Sequence, residues 1–485
     1  MQLLDYCVLA GYFLVIFLIG SFFSTSQKSL KDYFLGSRNI PWWAVSFSGI
    51  ATVISAISYI GAVGLGFSSD FGFLQYRLAI PIAILVIVVI ILPFFYNLQL
   101  YSIYEYLEKR FNLTIRLLGS GIFILFKCCY LALAIFAPAI VIEVLTGINL
   151  IWIVLITGAV TTLYTLLGGI KSVIWTDALQ LVILLGGIFL VIGISVEGVD
   201  GGLSGVLDTG KEFDKFRYLR PSLSLTETYT IWNGLIGGAF LMISQFGTDQ
   251  TEMQRFLTTR SLKKANIALA SSLLIAALMG FLIFFEGAAI FAFYEQRGQA
   301  GIEPNQVLVK FIVEELPTGV KGFLLAGILA AAMSTISSVL NSLTTVSLSD
   351  FYNRFKKREA SVSLARMVTL GFGLLATFLA CFGNYFGNIL ETAMTVINFF
   401  GGGLVGLFLL GMLSRKATPG GAMAGFIAGF VVILPVAAFT DVAYMWYSAI
   451  TAICTYVVGL LVSRLSGTKP LPGQEALVYS RHKKK

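Results

Sequence analysis

Residues 42–67, WWAVSFSGIATVISAISYIGAVGLGF, decide how the whole chain is read. The stretch is long and apolar enough to cross a bilayer. Yet Ser46, Ser48, Thr52, Ser55 and Ser58 share it with Gly49, Gly61, Gly64 and Gly66. Such residues either tighten contacts between helices or mark a helix that unwinds midway and frees carbonyls for a cation. Its surroundings bear on the choice. A second apolar segment, 230–256, turns polar at Ser244, Gln245, Gly247, Thr248, Asp249 and Gln250, five helices further on. Interrupted spans at matching places in two halves point to an inverted repeat with a site at its interface.

Working outward, apolar runs of membrane length recur from end to end. Spans are expected near 4–24, 42–66, 74–98, 119–145, 150–167, 170–194, 230–249, 265–294, 319–348, 361–385, 390–413, 419–438 and 443–464. The predicted architecture is an all-α polytopic membrane protein of about thirteen transmembrane helices. It is expected to form a single transmembrane domain over 1–485. An extra first helix (4–24) precedes five-helix repeats at 42–194 and 230–413, followed by two C-terminal helices (419–464) and a tail (465–485). The first run lacks a basic leader and a clear cleavage site, so it is expected to be retained as a span.

Composition agrees. The chain of 485 residues is 57% hydrophobic and 12% charged, with a mean hydropathy of +0.87; soluble domains carry about 25% charged residues. With the N-terminus outside, 24 basic residues fall on cytoplasmic segments and seven on outer loops, which predicts N-out, C-in in the plasma (inner) membrane. That bias accounts for the net charge of +8 without a nucleic-acid partner. No obligatory protein partner is evident; the lipid bilayer is the expected surrounding. Cys7, Cys128, Cys129, Cys381 and Cys454 all lie in apolar runs and read as free packing thiols. The only histidine, His482, sits in the tail, which leaves no histidine metal site or catalytic triad, and no enzymatic motif appears.

Two further spans carry residues that packing does not ask for. Asp177 lies in the sixth, about 9 Å inward if Lys171 marks the membrane edge. A bare carboxylate there costs several kcal/mol, so it must face a cavity or a cationic partner, a salt bridge to Lys or Arg being the plain alternative. In the ninth span Ser334, Ser337, Ser338 and Asn341 share a helical face, with Thr335 beside it. Serine strips do pack helices together. Neutral hydroxyls, carbonyls and one carboxylate are also hard donors suited to Na⁺, whereas Zn²⁺ or Ca²⁺ recruit softer or more charged ligands.

The chain resembles the sodium:solute symporter family over essentially its whole length. The resemblance is carried by DYFLGSRNIPWW (32–43), YEYLEKRF (104–111), YTLLGGIKSVIWTD (164–177), GTDQTEMQRF (247–256) and STISSVLNS (334–342). It implies a leucine-transporter-type five-plus-five inverted repeat and alternating access driven by sodium. It further implies a first Na⁺ held by carbonyls of Ala51, Ile54 and Ala331 with Ser334 and Thr335. A second Na⁺, present in some members, would use Asp177, Ser334, Ser337 and Ser338. The solute pocket would involve Ser55, Ser58, Phe73, Tyr76, Tyr130 and Gln245. AIFAPAI (134–140) and DQTEMQRF (249–256) resemble the branch of sialic acid, monocarboxylate, vitamin and iodide carriers more than the proline branch.

The expected function is therefore sodium-coupled import of a sugar, a sialic-acid-like sugar acid or a small carboxylate, with two Na⁺ per solute. Sialic acid carriers place an arginine on the fourth span, and Tyr130 stands there in this chain. Lys127 nearby is expected to snorkel toward the interface, and Glu286 and Glu391 to make polar interior contacts. A proton-coupled symporter of the same fold, with Asp177 titrating, or a passive channel are the alternatives.

Overall fold

The protein is described by a computed structural model covering residues 1–24, 29–383, 389–466 and 474–479. His482 and most of the expected tail lie outside the described residues, as does the side chain of Glu391. The long elements are α1 (Leu3–Ser24), α2 (Trp42–Val53), α3 (Ala56–Ser68), α4 (Phe71–Asn97), α5 (Leu113–Thr146) and α6 (Leu150–Glu197). They continue with α7 (233–248), α8 (Gln250–Phe256), α9 (Leu262–Glu295), α10 (Val320–Val346) and α11 (Val362–Ala380). The last three are α12 (Ile389–Leu413), α13 (Pro419–Phe439) and α14 (Met445–Leu465). Among the described residues there is no strand, only one isolated bridge between Ile40 and Thr259.

Among the described residues, ten helices are long and apolar enough to cross a membrane, or eleven if the bent pair α2 and α3 counts as one span. The segments expected at 150–167 and 230–249 are not among them: Leu150–Leu166 is shorter, and α7 is interrupted.

Both expected interruptions are present. α2 and α3 meet at 66°. Ile54 leaves helical geometry (φ −88°, ψ 81°), and Ser55 is extended (φ −77°, ψ 165°). Ser55 starts the next helix, its hydroxyl accepting the Ser58 N–H at 3.3 Å, as serine does at a helix start. In the second half, 233–237 and 244–248 widen into π-helix. The chain then turns extended at Asp249 (φ −94°, ψ 124°), whose carboxylate caps α8 at Thr251 N, 2.8 Å away. A third break lies in α6, at Gly169 (φ 55°, ψ −158°), between the two spans expected there. Only glycine adopts that backbone readily, and a Cβ would lie 2.8 Å from Tyr33 O.

α10 is the axis of the bundle: 94% of its apolar window is buried. It packs on α6, α5 and α1, while α9 packs on α2 and α3. Glycines bring α3 and α9 backbone to backbone; a Cβ at Gly66 would lie 2.5 Å from Phe284 O. At one end of the bundle residues 33–40 meet the turn after α8. Gln254 Nε2 donates to Phe34 O (2.8 Å), Ile40 N–H to Thr258 O (3.2 Å) and Tyr96 OH to Thr259 O (2.9 Å).

Candidate functional site

The break between α2 and α3 faces α10. The last carbonyls of α2 have no helical N–H ahead of them. Those of Ala51 and Thr52 accept instead from α10: Ser334 Oγ donates to Ala51 O (2.5 Å) and Thr335 Oγ1 to Thr52 O (2.9 Å). The same hydroxyls reach Ala331 O at 3.4 and 3.2 Å. The Ile54 carbonyl loses its usual helical donor, because Ser58 N–H turns to Ser55 Oγ. Ala51, Ala331, Ser334 and Thr335 are thus brought together, all buried, with Ile54 at the break itself. Thr52 joins them through its carbonyl. Sequence reasoning counted its hydroxyl among the signs of the break but did not assign its carbonyl to the ion. Among the described residues no group of three His, Cys, Asp or Glu could hold a metal ion. This neutral oxygen cluster therefore fits a hard monovalent cation and not a transition metal.

Asp177 is fully buried. Its Oδ2 accepts from Ser48 (2.6 Å) and Ser338 (3.3 Å) and pairs with Arg255 Nη2 at 3.4 Å. The cationic partner weighed for it is real. Arg255 also donates to Ser48 Oγ (2.7 Å), Thr251 O (2.5 Å), Thr52 Oγ1 and Ser338 Oγ. The guanidinium thus occupies one side of the expected second sodium site. The other carboxylate oxygen, Oδ1, is buried without a hydrogen-bond partner. Ser337 Oγ donates to Ser334 O at 3.1 Å.

Beside the break lies a cavity enclosing about 1190 Å³ of empty space, part of it continuous with solvent. Ser55, Ser58, Phe73, Tyr76, Tyr130 and Gln245 all line it. Phe73 and Tyr76 meet edge to face at 5.3 Å between centroids, and Ser55 and Ser58 hydroxyls lie 3.3 Å apart. A second, smaller cavity of about 560 Å³ shares Tyr130 and Gln245 with it.

The expectation that Lys127 snorkels is overturned. Lys127 lines the smaller cavity, nearly buried, with Nζ 2.6 Å from Asp249 Oδ2 and 4.7 Å from the centre of the Phe126 ring. The carboxylate exposed by the α7–α8 break supplies an internal partner, so the ammonium has no need of the membrane surface. Glu286 is interior as well, accepting from Tyr59 OH at 2.8 Å. Sequence reasoning also missed Arg77 as a wall of the larger cavity; a cation inside an apolar span was the available signal.

A model of the sodium:solute symporter family matches residues 33–429. The chain is 33% identical over 474 residues to a sodium/sialic acid symporter of Proteus mirabilis, covering 95% of each. Its structure superposes with a TM-score of 0.90 and 32% identity on a substrate-bound, outward-open Na⁺-coupled sialic acid symporter, over 97% of this chain and 99% of that one. Mhp1, a nucleobase-cation-symport-1 family transporter, matches at a TM-score of 0.58 and 13% identity, a likeness of fold alone. The bundle is the leucine-transporter-type inverted repeat, and the chain belongs to the sodium:solute symporter family.

Proposed function

We propose that the chain is a multi-pass symporter that carries a sugar acid of the sialic acid class together with two Na⁺ by alternating access. The observation that carries this reading is the set of carbonyls at the α2–α3 break, met by Ser334 and Thr335 beside a cavity of solute size. Ion and solute would then share the broken helix, so that filling one site shapes the other. The first Na⁺ would rest among Ala51, Ile54, Ala331, Ser334 and Thr335, with the Thr52 carbonyl added. The second would use the free Oδ1 of Asp177 with Ser334, Ser337 and Ser338. Ser55, Ser58, Phe73, Tyr76, Tyr130 and Gln245 would contact the solute.

Each inward positive charge gains about 2.3 kcal/mol per 100 mV; two Na⁺ with a monoanionic acid move one net charge, so the potential supplies about 2.3 kcal/mol, roughly fiftyfold accumulation before any sodium gradient counts. The charge bias supports an N-out, C-in placement in the plasma membrane. The test is uptake of sialic acid into proteoliposomes with sodium replaced by choline or potassium at fixed pH. Uptake should collapse; equal uptake in potassium alone would refute the coupling, and dependence on pH instead would favour a proton-coupled cycle.

A further inference from the structure

The solute cavity has one charged residue among its described lining, Arg77. It projects from α4 onto the buried face of α9, where its Nη1 donates to the carbonyl of Ala276. Gly280, one turn on, leaves the room it fills: a Cβ there would overlap the guanidinium. The ring of Tyr76 lies 5.1 Å from Cζ. Nothing anionic answers this cation. No described carboxylate forms an ion pair with it, and Nε is buried with no hydrogen-bond partner. Glu286, the nearer of the two acidic residues on α9, is engaged by Tyr59. A guanidinium held inside a membrane span without a counter-charge is costly. Lys127, Arg116 and Arg255, three other deeply placed cations, each have a carboxylate, and buried Arg110 spends its donors on Gly411 O, Ser414 O and Gln474 Oε1.

We propose that Arg77 is the anion anchor of the solute site, and that the solute bears a carboxylate which supplies its missing partner. Resting on the symport reading above, this assigns to α4 the charge that Tyr130 does not offer from α5. The guanidinium donors not spent on Ala276 O are of the kind that pairs with a carboxylate. The body of the solute then lies against Phe73 and Tyr76, with Ser55, Ser58 and Gln245 left for its hydroxyl or amide groups. The rings and the cation are set close together, so the molecule selected is a hydroxylated or acylated monoacid and not a neutral sugar.

The experiment measures binding to the purified full chain in nanodiscs, in sodium, of N-acetylneuraminate, glucuronate and pyruvate, each against its methyl ester. The wild type should prefer at least one acid over its ester by about tenfold to a hundredfold, the value of a charge-assisted pair. In Arg77→Gln that preference should vanish through loss of acid affinity, while Arg77→Lys keeps part of it. Sodium-induced thermal stabilisation without solute, read in parallel, should be unchanged in both variants and certifies their fold. A wild type that prefers no acid over its ester, or an Arg77→Gln protein of intact sodium response that keeps the preference, overturns the proposal. Loss of sodium stabilisation in the wild type itself would strike the coupling reading instead, and leaves the acid–ester comparison standing as its own result.

Discussion

Lys127 Nζ sits 2.6 Å from Asp249 Oδ2, both lining the smaller of two cavities that share Tyr130 and Gln245. The carboxylate comes from the break that ends α7, the ammonium from α5. One ion pair therefore fastens the second interrupted helix to its neighbour. Removing one member of such a buried pair strands the other, at a cost of about 3–5 kcal/mol. Lys127→Met should lower the thermal midpoint markedly, and the double change with Asp249→Asn should restore part of the loss. A single variant that melts like the wild type would show the pair to be idle.

Ser334→Ala and Thr335→Ala each delete an oxygen from the cluster at the α2–α3 break. A ligand of a charged partner is worth about 1.5–3 kcal/mol, so half-saturating sodium should rise about tenfold to a hundredfold. Sodium titration of uptake reads this directly. Wild-type sodium activation in Ser334→Ala would remove the first site from this position.

Asp177→Asn keeps the shape of the side chain and deletes the charge that Arg255 faces. Sodium activation should lose its cooperativity, the Hill coefficient falling toward one, and stability should fall because Arg255 loses one of its two buried carboxylates, keeping only Glu252 at 3.4 Å. Titrations of unchanged steepness would place the second ion elsewhere.

Gly66→Ala puts a methyl group 2.5 Å from Phe284 O, where a backbone atom, not a flexible side chain, must yield. Overpacking of this kind costs about 1–3 kcal/mol. Thermal unfolding should register it, with Gly121→Ala, which meets nothing within 4 Å, as the silent control.

Outside the spans, Glu108 is a pH probe. Burial works to raise its carboxyl, but Arg354 and Arg116, each 2.8 Å away, win and hold it below the usual glutamate range. A depressed folded value means stability present above the unfolded pKa, about 4.3, and lost as pH falls through the lower folded value. Glu108→Gln should therefore be less stable than the wild type at neutral pH, with the difference closing below about pH 4.

Much of this was legible in the chain. Glycines and hydroxyls at 46–66 located a break that the structure puts at Ile54 and Ser55, and the six residues assigned to the solute pocket all reach one cavity. What the sequence did not disclose were partnerships across distance. Arg255 meets Asp177 from 78 residues away, and Lys127 meets Asp249 from α5. Helical periodicity says which face a residue occupies, not which helix will stand opposite. Lys127 was misread for that reason, since the counter-charge becomes available only once α7 breaks.

The junction of residues 33–40 with the turn after α8 has a consequence for motion. Its contacts, with Tyr96 of α4 beside them, end on main-chain oxygens of Phe34, Thr258 and Thr259 and on the Asn39 amide oxygen that Arg260 Nε meets, neutral acceptors that water could satisfy equally well if the segments parted. No ion pair is stranded by that separation. A clasp made this way is cheap to undo and to remake, which suits a doorway that has to swing on every turnover.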